Sequence, residues 1–440
     1  MHNQTTERLI EFIDDCPTCY HTVETISKRL DKLGYTELYE ADKPILSAGK
    51  GYYITRNSSS LIAFRIPKKT PSAFMLSASH SESPSFKIKP GTALGNTDYV
   101  RLNTERYGGM IYSSWLDRPL SVAGRIAVDS DGGIKTILVN ISRDLVCIPN
   151  AAVHLNGKLN RGYELNPAKD LFPLYGSGNT KTALLDIIAA EAGTDKAQIL
   201  GADLFLYNRN RGTVWGSEGE FFSAPRIDDL QCVFCTLEAF IQTSGCDTAA
   251  IPVCCVFDNE EVGSGTKQGA KSTFLSDVLH RIVFSLGLDE SDYIRMLASS
   301  MMLSADNGHA VHPNLPELSD SVIKPVMNGG VLIKYNANQK YTTDAISEGI
   351  FRKICKNADI PVQEYANRSD LPGGSTLGNL SAEKVSINTV DIGLSQLAMH
   401  SSYETAGVMD NDYMIGAVKA FYSTEITAKG RGEYSVNIKE

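Results

Sequence analysis

Five positions in the sequence set an imidazole or a carboxylate where a short apolar run ends. His80 follows residues 73–79 (AFMLSAS) and opens His80-Ser81-Glu82-Ser83-Pro84. Asp228 and Asp229 sit in Ala224-Pro225-Arg226-Ile227-Asp228-Asp229-Leu230. Glu260 and Glu261 follow the run IPVCCVF. Asp306 ends Leu303-Ser304-Ala305-Asp306, and His400 closes Gln396-Leu397-Ala398-Met399-His400. Acids gathered in one cleft repel one another, so they need a cation to stay ionised without destabilising the fold. Two divalent metals satisfy that need, with two histidines, two terminal carboxylates and one bridging carboxylate. The three charges of Asp228, Glu261 and Asp306 leave one net positive charge, which a shared hydroxide neutralises. Coordination lowers the pKa of such a water to roughly 7, and Glu260, next to a proposed ligand, is the candidate general base. Nitrogen and oxygen donors suit zinc, with cobalt or manganese as alternatives. Taken singly, an acid after a strand is equally a helix cap or a surface charge, so spacing alone leaves that reading open.

The elements that would position these groups alternate. Residues 5–33 read as helix-rich, with Leu9, Ile13, Val23, Ile26 and Leu30 near helical spacing. Strands are expected at 73–79, 124–128, 135–142, 203–207, 251–257, 330–336, 361–366 and 385–391, and helices at 228–242, 270–286, 343–358 and 412–429. This alternation predicts an α/β fold, a mixed, mostly parallel sheet flanked by helices. In such sheets ligands bind at the carboxyl ends of the strands, where the acids and histidines fall. Residues 91–215 differ, being rich in Gly, Asn and Arg with short β-like runs and a helix near 180–192. They are expected to form an inserted β-rich domain, with 1–90 and 216–440 forming the catalytic domain.

Composition narrows the class. The chain has 440 residues, 42% of them hydrophobic, ample for a core without disulfides. A net charge of −9 argues against binding nucleic acid through bulk charge. No apolar run approaches the roughly 18 residues of a membrane span. Nine scattered cysteines point to a reducing compartment, so a cytoplasmic location is expected.

Taken together, these segments resemble the aspartyl aminopeptidase family of cocatalytic zinc exopeptidases. The shared motifs run from Tyr20-His21 to His400-Ser401. They include His-x-acid-Ser-Pro at His80, Trp115-Leu116-Asp117-Arg118-Pro119-Leu120, APRxD, FDxEEVGS, SADxxHAxHPN, IKxNxNQ-(K/R)-Y at 333–341, and QxxMHS. The resemblance implies two zinc ions per subunit. His80, Asp228 and Asp306 would hold one, and Asp228, Glu261 and His400 the other, with Asp228 bridging. Glu260 would act as general base and then as the acid for the leaving amine. Lys334 would face the side chain of an acidic N-terminal residue. His154 would reach a neighbouring subunit's active site, touching metal or substrate there. The implied activity is removal of N-terminal acidic residues from short peptides, within a homo-oligomer, usually a dodecamer. Two positions depart from the family. Glu82, a candidate catalytic residue, stands where Asp is usual, and Gly373 where relatives often carry Cys. The alternatives are a two-metal dipeptidase or amidohydrolase, and a non-catalytic oligomeric scaffold.

The remaining features read as structural. Cys16-Pro17-Thr18-Cys19 and Cys232-x-x-Cys235 lie too far apart in sequence to suggest one metal site, and buried thiols are expected. Gly263-Ser264-Gly265-Thr266-Lys267 lacks full phosphate-loop spacing and reads as a tight turn. His309 and His312 are expected to support the site without binding metal, His2, His21 and His280 to play no part in it, and Trp115 and Trp215 to pack.

Overall fold

The strand Ala73–His80 is apolar on both faces, and that decides the layering. Met75 joins the core on one side, while Phe74, Leu76 and Ala78 join the core on the other. Its neighbour Ala250–Phe257 behaves alike, with Cys254 and Val256 on the first side and Ile251, Val253 and Phe257 on the second. Successive side chains of a strand point to opposite faces, so such strands need cover on both. The computed structural model, which describes residues 3–96 and 98–439, provides it. Helices Gln4–Asp15, Cys19–Lys32, Ile227–Gln242, Ala345–Asn357 and Asp410–Tyr422 fill one side. Helices Phe274–Ser285 and Glu290–Ala298 fill the other.

Between these layers lies a nine-stranded mixed sheet. Its centre is parallel: Ala250–Phe257, Ala73–His80, Met301–Ala305 and Asn388–Gly393 run side by side in that order. Antiparallel pairings flank them, as between Val331–Tyr335 and Asn388–Gly393. The parallel centre sends His80, the Glu260–Glu261 turn and Asp306 to one edge of the sheet.

Leaving His80, the chain enters a six-stranded antiparallel sheet whose strands lie between Ser85 and Asn208. This sheet has its own core, including Phe86, Trp115, Leu120 and Leu206, covered by helix Leu184–Ala192. A third, five-stranded sheet lies near the cluster. It contains Phe221–Ala224, just before Asp228, and the strands Ser395–Leu397 and Glu404–Gly407, whose connection carries His400.

Several expected elements differ. The helix foreseen at 412–429 stops at Tyr422, and Thr424–Gly430 pairs with Glu433–Ile438 as a hairpin. Alternating β-branched residues and the Gly430-Arg431-Gly432 turn favour a strand there over a continued helix. The 270–286 helix begins only at Phe274, and the strand expected at 385–391 is Asn388–Gly393. No helix among the described residues is long and apolar enough to cross a membrane.

Candidate active site

His80 ends its strand with its ring almost fully buried. Its Nε2 lies 3.4 Å from Asp228 Oδ1 and 3.8 Å from Asp306 Oδ1. The other Asp228 oxygen, Oδ2, lies 3.3 Å from Nε2 of His400, which is 3.2 Å from Glu261 Oε1. Asp228 therefore stands between two histidines, one oxygen toward each. Ligand atoms of His80, Asp228, Asp229 and Asp306 fall within 4.8 Å of one another, as do those of Asp228, Glu261 and His400, and those of His80, Glu260 and Glu261. Six of the predicted residues thus meet in one place. The His400 side chain is about a third exposed, so the cluster opens to solvent on its side.

The backbone works to deliver them. Arg226, Asn259 and His400 all adopt positive φ, near 58°, 65° and 67°. For non-glycine residues that conformation is unfavourable and needs support from its surroundings. Glu404 gives some of it, its carboxylate accepting from the amides of Asp228 (3.1 Å) and His400 (2.8 Å). Asp229, joined to Asp228 by a cis peptide bond, accepts from the His80 amide at 3.0 Å. The antiparallel sheet reaches in as well. Tyr107 donates to Glu82 Oε1 and accepts from Asn259 Nδ2, and the Ile111 amide donates to the His400 carbonyl. Glu82 Oε1 also accepts from the Glu261 amide at 3.1 Å, while its Oε2 lies 3.6 Å from His80 Nδ1.

The electrostatics show what such a cluster needs. Burial, opposed by His80 and reinforced by Asp306 and Asp228, raises the Asp229 carboxyl well above its ordinary range. Burial pushes Glu261 up to about 7 against the pull of His400. Glu260 is raised well above its usual value, again by burial first, with His80 opposing and Asp306, Glu261 and Glu82 adding to it. Burial opposes charge on His400, but Asp228 and Glu261 outweigh it and raise the ring to about 11. Asp228 Oδ1, Asp229 Oδ1, Glu261 Oε1 and Glu82 Oε2 are buried and form no well-aligned hydrogen bond among the described residues, the histidine nitrogens beside three of them standing off at 3.4, 3.2 and 3.6 Å. Buried acceptors left without donors are costly. Oxygen and imidazole donors converging this closely fit divalent zinc, which would partner those oxygens.

Lys334, 2% exposed, stands beside this cluster. Its ammonium donates to the Asn307 carbonyl at 2.8 Å and pairs with Asp306 Oδ2 at 3.5 Å, above the ring of Tyr341. His154 is exposed in a turn and belongs to none of the groups able to hold a metal among the described residues. His309, beside Tyr365, and His312 are outside those groups too. All nine cysteines are free; Cys16, Cys19, Cys232 and Cys235 are buried and join no such group among the described residues. The 263–267 segment is a turn, with the Ser264 amide donating back to the Asn259 carbonyl. Asp229 and Glu404 are the members of the site that sequence reasoning did not assign. Asp229 adjoins an assigned acid, but Glu404 carries no local signal because its Asp228 partner is 176 residues away.

Residues 12–422 match the family model for aminopeptidase I zinc metalloproteases, M18. The chain belongs to this family. It is a zinc metallo-aminopeptidase, and the zinc exopeptidase resemblance of the sequence holds. A probable M18 family aminopeptidase 2 of Clostridium novyi (strain NT) is 44% identical over 424 residues, 94% of this chain and 98% of that one. Among solved structures, the cryo-EM structure of the Ape4 and Nbr1 complex aligns with TM-score 0.92 and 33% identity, covering 95% of this chain and 85% of that one. The S. cerevisiae mApe1 dodecamer aligns with TM-score 0.83 and 27% identity, covering 96% of each chain.

Proposed function

We propose that this M18 aminopeptidase removes N-terminal Asp or Glu from short peptides with the help of two zinc ions per subunit, both of which Asp228 would help to hold. The observation that carries the metal assignment is the split of Asp228, one oxygen 3.4 Å from His80 Nε2 and the other 3.3 Å from His400 Nε2. His80 and Asp306 would complete one site, Glu261 and His400 the other; cobalt or manganese could load the same donors. When bound, zinc would supply Lewis acidity and lower the pKa of water at the cluster. Glu260 takes the proton of the attacking water and returns it to the leaving amine. A carboxyl whose proton affinity is raised by burial suits that exchange. Glu82 acts by position, bonding the Glu261 amide and flanking His80, so its extra methylene relative to Asp is accommodated within the cluster.

Lys334 is the basis for acidic preference. Two of its three N–H donors meet the Asn307 carbonyl and Asp306 Oδ2, and we assign the third to a substrate carboxylate. His154, exposed on its turn, suits a role in a neighbouring subunit's site. The dodecamer known for the S. cerevisiae relative supports a homo-oligomer, with the 91–215 segment as the inserted pairing domain and 1–90 with 216–440 as the catalytic one. Nine free thiols support a cytoplasmic location.

A panel of glutamyl, aspartyl, leucyl and lysyl p-nitroanilides, with and without chelator, tests this reading. Turnover should be highest on the acidic pair, vanish with chelator, and vanish when the substrate's amino group is acetylated. Turnover of the acetylated compounds would instead indicate an amidohydrolase. Preference for leucyl or lysyl substrates would remove the acidic assignment.

A further inference from the structure

The QxxMHS segment supplies His400 to the cluster and leaves its first residue, Gln396, without a task. Gln396 lies on the strand Ser395–Leu397, opposite Ala406 of the antiparallel strand Glu404–Gly407. Side chains two residues apart share a face of a sheet, so Gln396 and Glu404 are diagonal neighbours. The Gln396 Nε2 donates to Glu404 Oε1 at 3.2 Å, and its Oε1 accepts from Asn307 Nδ2 at 2.6 Å. Given His400 and Asp228 as zinc ligands, the reading on which this rests, we propose that Gln396 positions both of them through Glu404.

Glu404 is the point at which the two ligands are tied together. His400 stands in the left-handed region at φ 67°, on a turn whose Ala398 is left-handed as well, at φ 56°. Its side chain is about a third exposed, so packing alone does not hold it. Glu404 Oε1 takes the His400 amide at 2.8 Å, and Glu404 Oε2 takes the Asp228 amide at 3.1 Å. One carboxylate thus sets the backbone beneath two ligands, and it does so only while its own side chain is fixed.

Gln396 fixes it. A carboxylate accepts hydrogen bonds, so the Gln396 amino group turns to Glu404 and its oxygen to Asn307. Asn307 is committed in turn, its Nδ2 donating also to Gln231 Oε1 at 3.0 Å and its Oδ1 accepting from Cys232 Sγ at 3.1 Å. Each amide in the row therefore has one sense. Asn307, Gln396 and Glu404 are all buried, where a lost partner is costly. Gln396 is the one side-chain donor to Glu404 among the described residues. Groups that orient ligands in this way govern metal affinity as the ligands themselves do.

Gln396→Met keeps the length and loses both bonds. Zinc retained against graded nitrilotriacetate, read by elemental analysis, should show an affinity about tenfold or more below wild type. In the cobalt-loaded protein, whose visible bands report ligand geometry, the bands should shift. Tyr422→Phe is the matched control. It removes equally buried bonds, to Ser77 at 2.6 Å and to the Val253 carbonyl at 3.0 Å. Its thermal midpoint should fall while its zinc affinity and cobalt bands stay those of wild type. Gln396→Asn, one methylene too short to span Glu404 and Asn307, should follow Gln396→Met and carries the comparison if the methionine variant does not fold. His400→Ala tests the ligand assignment by itself. Wild-type zinc affinity in His400→Ala would remove that assignment and the role of Gln396 together. Weakened zinc in His400→Ala, with wild-type affinity and bands in the Gln396 variants, would overturn the role of Gln396 alone, as would an equal loss in Tyr422→Phe.

Discussion

Glu260 and Lys334 flank one cluster with opposite electrostatic problems. Lys334 is buried but answered by Asp306 and the Asn307 carbonyl, and the net effect holds its ammonium proton more tightly than in water. Glu260 has His80 as an opposing charge and three acids against it. Glu260→Gln keeps the shape and removes the proton acceptor. It should retain zinc, measured by elemental analysis, and lower kcat by about 10²–10⁴-fold, the usual span for a general base. Wild-type turnover in that variant would remove the base assignment. Lys334→Met keeps volume and removes the charge. The kcat/KM for a glutamyl substrate should fall about 10–100-fold further than for a leucyl one, the span of one charge-assisted bond. Equal losses on both would reduce Lys334 to a partner of Asp306. At this scale the sequence was readable wherever a functional group terminates an apolar run, as His80 and Asp306 do. It was silent on Glu404, which ties the His400 amide four residues before it to the Asp228 amide, a partner that only tertiary structure brings near.

The turns that follow the strands hold the chemistry in place, and Asn259 shows how. It enters the left-handed region at φ 65° directly before Glu260, and its side chain bonds Tyr107, Thr266 and Gln268. Asn259→Ala loses those bonds and keeps a Cβ in an unfavourable conformation, whereas Asn259→Gly loses the bonds alone. Both variants should unfold at lower denaturant than the wild type, with Ala about 1 kcal/mol below Gly. Equal midpoints would mean that the left-handed geometry at this turn costs nothing. The strand–turn sequence was legible because buried parallel strands are short, apolar runs, and Ala250–Phe257 needed no periodicity to be recognised. The C-terminal hairpin was not, since residues 423–429 taken alone could extend the preceding helix. Only the pairing with Glu433–Ile438 settles them as a strand.

For the molecule as a whole, the cluster makes stability depend jointly on metal and pH. Without a cation, Glu261 titrates near 7 in the folded chain and near 4.5 unfolded, so between those values the folded state holds a proton that the unfolded state has released. His400 acts in the same direction higher up, protonated when folded up to about 11 but only below about 6.5 when unfolded. Glu404, raised to about 8 chiefly by burial and by Asp228, adds to it. Since the native state binds more protons, stability of the chelated protein falls as pH rises from about 4.5 through 8. Zinc held by the proposed ligands would remove the cause, because it would replace those protons as the partner of the same oxygens and stabilise the state that binds it. The gap in thermal midpoint between zinc-loaded and chelated enzyme should therefore widen from pH 5.5 to pH 8, with most of the change in the chelated sample. Scanning calorimetry at both pH values, with and without chelator, measures it. A gap that narrows as pH rises would show that the acids of the cluster are neutralised by something other than a metal competing with protons.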